Sequence, residues 1–208
     1  MSAINESATP AASTGAVLPA LYMVWRDGSA EIVSRPPDLP SRYSIVAVPS
    51  DRVDEVRGVV ELDGAITDLQ WGAYVDCILP DGLFVARHAS GEPIGAIGAI
   101  HNPRGSRFYF PGGGELGYLV VHPSHRGLGL GRALVDAALG RLRGGGYRTI
   151  WLGVQDHRLS AIRTYLGAGF VPFLHPPYPD ALGERWSAVF DRLGLPASAE
   201  HWPRALTR

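Results

Sequence analysis

Glu115-Leu-Gly-Tyr-Leu-Val-Val-His-Pro-Ser-His-Arg-Gly-Leu-Gly-Leu-Gly-Arg-Ala-Leu134 reads as a strand, a glycine-rich turn and the start of a helix. Gly127, Gly129 and Gly131 alternate with leucines. Without β-carbons, the backbone there can approach a ligand closely with its N–H groups turned outward, and the helix that follows adds its positive dipole end. A phosphate or pyrophosphate is the natural occupant. A tight strand-to-helix connection that binds nothing is the competing reading of such a turn taken alone. Two familiar nucleotide loops fail against these letters. The dinucleotide fingerprint G-x-G-x-x-G finds Arg132 at its third glycine when counted from Gly127, and Leu134 when counted from Gly129. A Walker loop needs Gly-Lys-Ser/Thr, and the chain has no lysine, all 19 of its basic residues being arginine.

What remains is Arg126-x-x-Gly129-x-Gly131, followed downstream by Ser160-Ala-Ile-Arg-Thr-Tyr-Leu-Gly-Ala-Gly-Phe170. Between them, Arg148-Thr-Ile-Trp-Leu-Gly-Val-Gln155 reads as a short buried strand. The first block resembles the R/Q-x-x-G-x-G/A signature of the GNAT superfamily of N-acetyltransferases, whose loop holds the pyrophosphate of acetyl-CoA. The second resembles that family's other block, an alanine, a tyrosine four residues on, and Gly-Phe opening the next strand, here Ala161, Tyr165, Gly169 and Phe170. The close resemblance covers about residues 114–174. One position departs from it. The family often carries a cofactor-contacting asparagine seven residues before the tyrosine, where this chain has Arg158, and its only asparagines are Asn5 and Asn102. Arginine there either meets a cofactor phosphate or carbonyl with its planar donor fork or lies on the solvent face of the helix.

A chain of 208 residues with 46% hydrophobic content can bury one good core, and nothing in its length demands two domains. Residues 1–19, rich in Ala, Ser and Thr without apolar periodicity or a basic start, read as a disordered leader. The domain is expected over 20–194, with a tail at 195–208. No apolar run approaches the ~20 residues needed to cross a bilayer. A single cysteine, Cys77, cannot form an internal disulfide and reads as a buried thiol in an apolar helical pattern, which suits a reducing cytoplasm. The seven histidines are scattered. The close pair His122 and His125 lacks a carboxylate or thiol at ligand spacing and reads as turn residues, so no metal is expected. With net charge −1 and no basic cluster interleaved with aromatics, no nucleic-acid footprint is visible. Nothing in these letters sets the oligomeric state.

Along the chain, Leu21–Trp25 and Ala30–Ser34 read as a hairpin around Asp27-Gly28, and Tyr43–Val48 as an alternating strand. Val53, Val56 and Val60 give Asp51–Leu62 a helical spacing weakened by Gly58 and β-branching. A clearer helix carries Trp71, Tyr74, Val75 and Ile78 and is expected to end at Pro80-Asp-Gly82, before strands Leu83–Arg87 and Pro93–Ile100. Strand 115–121, helix 128–143, strand 148–155, helix 158–168 and strand 170–174 complete the order. Counted from Tyr43 it is β-α-α-β-β-β-α-β-α-β, the GNAT order. The expected fold is therefore α/β (α+β), a mixed central sheet flanked by helices in a single domain. The family usually closes with another strand. Here Trp186, Val189, Phe190 and Leu193 follow helical spacing, so a C-terminal helix is expected and the sheet's last edge must be covered differently.

The resemblance implies an enzyme that moves an acetyl group from acetyl-CoA directly to a primary amine. It places the pyrophosphate on the backbone of Gly127, Leu128, Gly129, Leu130, Gly131 and Arg132, beside Arg126, and the pantetheine arm along Leu119, Val120 and Val121. Tyr165 is the implied general acid, a phenol with a reference pKa of about 10 that stays protonated at pH 7. Glu115 is the candidate general base, at the position where some protein-acetylating members carry a glutamate that works through water. By strand alternation it shares a face with Gly117, Leu119 and Val121; a solvated strand-end glutamate is the alternative. Residues 51–81 hold Asp51, Asp54, Glu55, Glu61, Asp63, Asp68, Asp76 and Asp81 against Arg52 and Arg57. That excess suits a cationic amine acceptor, or is a solvated face. The rival function is a non-catalytic acyl-CoA-binding or regulatory domain, motivated by the missing asparagine.

Overall fold

The computed structural model describes residues 19–26, 38–63, 68–101, 110–197 and 202–204. Seven strands, β1 (Leu21–Arg26), β2 (Tyr43–Val48), β3 (Ile78–His88), β4 (Pro93–Ile100), β5 (Gly114–Val121), β6 (Thr149–Val154) and β7 (Val171–Phe173), form one mixed sheet in the order β2-β3-β4-β5-β6-β1-β7. Its helices are α1 (Arg57–Val60), α2 (Asp68–Val75), α3 (Leu130–Gly144), α4 (Leu159–Gly167) and α5 (Pro179–Leu193). The order read from the sequence is reproduced from β2 onward. Two local readings change. The 50–63 segment is α-helical only at Arg57–Val60 and 3-10 on either side, because valines and Gly58 are poor helix formers and burial of Val53, Val56, Val59 and Val60 holds the turns in place. Ile78 is strand, paired with Ile100, rather than the last turn of α2. Pro80 cannot continue a helix and holds its predecessor extended. Cys77 lies in the turn between the two elements, half-buried against the smaller core.

The main core lies between the sheet and α3, α4 and α5. Leu130, Leu134, Val135, Ala138 and Leu142 make the buried stripe of α3, and Leu182, Trp186, Val189, Phe190 and Leu193 that of α5. Trp202, in the stretch expected as a tail, is buried against Trp186 and Phe190, and Leu174 N donates to the Pro203 carbonyl at 2.9 Å. A second core on the opposite face joins Val53, Val56, Val59, Val60, Trp71 and Tyr74 to β3, β4 and β5. The expected C-terminal helix forms. The strand slot it leaves is filled from the other end of the chain: β1 lies antiparallel between β6 and β7. The second arm of the expected hairpin, Ala30–Ser34, lies outside the described residues.

Strand β5 positions the site. It pairs in parallel with β6 only at Gly114 with Ile150 and Glu115 with Trp151, so beyond Glu115 the two strands diverge and the sheet opens as a V. On its other side β5 carries a bulge. Ala96 pairs with Val120 and Gly98 with Gly117, leaving an extra residue on β5, where Tyr118 takes a left-handed φ of 55°. That residue overturns the simple alternation. Leu116, Leu119 and Val121 pack into the main core, whereas Tyr118 and Val120 face the second core. Glu115 stands with the latter group, and not on the face of Leu119 and Val121 as uninterrupted alternation requires.

Candidate active site

The β5–α3 loop is built as the glycine spacing predicts. Gly127 and Gly129 have φ of 78° and 81°, in the left-handed region that a side chain disfavours. Gly129 is the N-cap of α3 and gives the helix no side-chain cap, so the first-turn N–H groups are left for an external acceptor. A β-carbon on Gly127 would meet nothing within 4 Å, and one on Gly131 only Val121 Cγ2 at 3.9 Å. The backbone is therefore open on the side where an anion would lie. Arg126 is exposed and donates from Nε to the Val121 carbonyl at 3.0 Å, tying the loop to the end of β5. Leu130 is core and Leu128 packs against it, so both leucines serve the loop through their backbones. The past-Glu115 edge of β5 has no partner strand among the described residues. An uncapped helix start beside an open strand edge fits a ligand with an anionic end and an amide-bearing arm, as acetyl-CoA has.

Arg132 acts differently from a phosphate ligand. It is buried, 9% exposed, with Nε donating to both Asp136 oxygens at 2.9 Å and a terminal nitrogen donating to the Gly167 carbonyl at 2.7 Å. Only its backbone N–H is left to the loop; its side chain ties the first turn of α3 to the end of α4. Tyr165 lies on that α4, 6% exposed in the main core with its ring edge-on to Phe170 at 6.0 Å. Arg158 is the N-cap of α4, half-buried, with its N–H on the Gln155 carbonyl at 2.9 Å. It begins the helix.

Glu115 belongs to the other side of the sheet. Its charge acts on two phenols there, Tyr74 of α2 and Tyr118 of the bulge, whose rings meet edge-on at 4.8 Å. Burial pushes the Tyr74 phenol far above its ordinary range, and the neighbouring Tyr118 and Glu115 push it further. Burial, then Glu115, also raises Tyr118. Both phenols therefore keep their protons at neutral pH and can act as hydrogen-bond donors. Trp151, paired with Glu115 across the strands, stacks on Phe110 at 4.9 Å and 9°. Thus Glu115 and Tyr165 lie on opposite faces of the sheet. Tyr74 and Tyr118 carry no local signature of a site; the signal was Gly98 and Gly117, two glycines inside neighbouring strands, which mark a close approach.

The remaining charged and histidine residues are mostly engaged locally. Glu55 pairs with Arg52, Glu61 with Arg57, and Asp54 accepts from Trp71 Nε1 at 2.7 Å. Asp51, Asp76 and Asp81 are exposed, and the side chains of Asp63 and Asp68 lie outside the described residues. Among the described side chains the acidic segment is thus mostly exposed and partly paired. His122 and His125 shape the turn before the loop: His122 accepts from Ser124 N at 3.4 Å, and Tyr43 Oη hydrogen-bonds with His125 Nδ1 at 3.0 Å. No group of three His, Cys, Asp or Glu among the described residues could hold a metal ion. No helix among them is long and apolar enough to cross a membrane.

Comparison with known proteins agrees with this geometry. Mycothiol acetyltransferase of Stackebrandtia nassauensis is 36% identical over 107 residues, 50% of this chain and 33% of that protein. N-acetyltransferase 8B of Rattus norvegicus is 35% identical over 92 residues, 43% of this chain and 39% of that protein. The matches thus span well under half the length of these relatives. A solved GCN5-related N-acetyltransferase from Sphaerobacter thermophilus shares the fold, with a TM-score of 0.56 at 20% identity over 74% of this chain and 49% of that one. Residues 52–170, which include Glu115, the glycine loop and Tyr165, match the acetyltransferase (GNAT) family. The chain belongs to that family of acyltransferases.

Proposed function

We propose that the protein is an acetyl-CoA-dependent N-acetyltransferase that moves the acetyl group directly to a primary amine. The observation that carries this reading is the uncapped start of α3, with Gly127 and Gly129 in left-handed conformation, beside the open edge of β5. Backbone N–H groups of residues 127–132 and the α3 dipole hold the pyrophosphate, and Leu119, Val120 and Val121 offer their strand edge to the pantetheine arm. Bound there, acetyl-CoA supplies an acyl thioester. Glu115 removes a proton from the acceptor ammonium, leaving a nitrogen lone pair to attack. Tyr165 holds a proton at its phenol oxygen for the departing sulfur. Base and acid sit on opposite faces of the split sheet, so the two proton movements do not compete for one site.

The acceptor is an amine that arrives as a cation. Glu115 is the anionic group that receives it, and its charge reaches Tyr74 and Tyr118. The test is a panel of amines incubated with acetyl-CoA and read by release of free thiol. Amine-dependent release supports the reading. Binding of acetyl-CoA with no release for any amine leaves a non-catalytic acyl-CoA-binding domain, the reading that Arg158 at the family's asparagine position favours.

A further inference from the structure

Tyr74 is 5% exposed, and its hydroxyl has no hydrogen-bond partner among the described residues. A buried hydroxyl in that state costs on the order of 1–3 kcal/mol, and such groups in native proteins are usually satisfied by something. The strands beside it are shaped to take the Tyr74 ring. Gly98 and Gly117 are partners across β4 and β5. A β-carbon on Gly98 would overlap Tyr74 Oη, and one on Gly117 would press on Tyr74 Cε2 at 3.3 Å and Ile100 Cδ1 at 3.0 Å. Tyr118, held at a φ of 55° by the bulge, buttresses the Tyr74 ring from the other side. A bulky residue in that conformation is uncommon and strained, and such strain clusters at functional sites. The Glu115 charge is felt at the Tyr74 phenol, yet the two make no hydrogen bond. Gly117, which packs against the Tyr74 ring, is two residues from Glu115 on the same strand before the bulge.

We propose that Tyr74 is a positioning residue for proton removal: its hydroxyl, opposite Glu115, holds the water through which that carboxylate takes a proton from the acceptor ammonium. The inference rests on the reading of the protein as an amine acetyltransferase. The water accepts a hydrogen bond from the Tyr74 O–H, donates one to Glu115, and offers its second lone pair to the ammonium N–H. As that N–H bond breaks, the water takes the proton and passes one of its own to a Glu115 oxygen. Water is regenerated, the nitrogen keeps the electron pair, and the net proton rests on the carboxyl group. Because the phenol stays protonated, it remains a donor throughout.

The experiment compares wild type, Tyr74→Phe, Glu115→Gln and the double variant across pH, with an amine that the wild type acetylates. Tyr74→Phe should lower kcat roughly 10- to 100-fold at pH 7, with acetyl-CoA affinity unchanged. The deficit should shrink as pH rises toward the pKa of the amine, where the acceptor arrives already neutral. The double variant should be no slower than Glu115→Gln alone, because the two residues act as one unit. The melting temperature of Tyr74→Phe should stay close to wild type, since the change keeps the packed ring and removes a hydroxyl that no described protein group bonds. A deficit equal at every pH, losses that multiply in the double variant, or a lowered melting temperature would each overturn the proposal, leaving Tyr74 a structural residue. Inactivity of the wild type toward every amine is a different failure and counts against the acetyltransferase reading itself.

Discussion

Tyr74, Gly98 and Tyr165 show how much single residues decide here. Gly98→Ala places a β-carbon where the Tyr74 hydroxyl lies, and overpacking of that kind costs typically about 1–3 kcal/mol. Denaturant unfolding should show that loss, with a larger loss of activity from the displaced phenol. Tyr165→Phe should lower turnover by roughly 10²–10⁴-fold with cofactor affinity nearly unchanged, as for a proton used mainly when the sulfur departs; steady-state rates and cofactor titration separate the two quantities. Tyr165 was legible in the sequence because a helix-borne tyrosine followed by Gly-Phe is a local pattern. Tyr74 and Tyr118 were not. Their meeting depends on one extra residue in β5, and a bulge leaves no mark in apolar periodicity beyond the glycines across from it.

Among the elements, the proposed anion site belongs to the loop and the start of α3 together. Gly129→Asp puts a β-carbon at a φ of 81° and a carboxylate at the helix start. CoA should raise the melting temperature of the wild type by binding the folded state, and this variant should lose that rise. An undiminished rise in the variant would place the phosphates elsewhere. This element pair was readable in advance because few residue types tolerate a left-handed turn into an uncapped helix. The slot of β1 was not readable. Leu21–Trp25 reads as a strand, but the slot it enters is set by β6 and β7, more than a hundred residues away, and periodicity carries no information about partners. What the sequence did show was the need, since helical spacing in α5 left the sheet without the family's usual closing strand.

For the whole molecule, α5 replaces that strand and is tied to the α4 side by Asp156, which accepts from Arg185 at 2.6 and 3.1 Å. Burial alone would raise the Asp156 pKa, but it is outweighed by the hydrogen bond from Arg185, the residue's own backbone N–H, and the charges of Arg185 and His157, so the carboxyl sits below its ordinary value. The pairing therefore stabilises the fold above about pH 4 and fades as pH falls through the depressed value. Asp156→Asn should melt below wild type at pH 7, and the two melting curves should converge as pH drops under about 4. The central claim concerns the joined sheet, loop and helices acting as a transferase. Its most direct test is mass measurement of an amine after incubation with isotopically labelled acetyl-CoA. Wild type should add one labelled acetyl group per thiol released, and Gly129→Asp should add none. CoA-dependent stabilisation of the wild type with no amine ever gaining the label would contradict it.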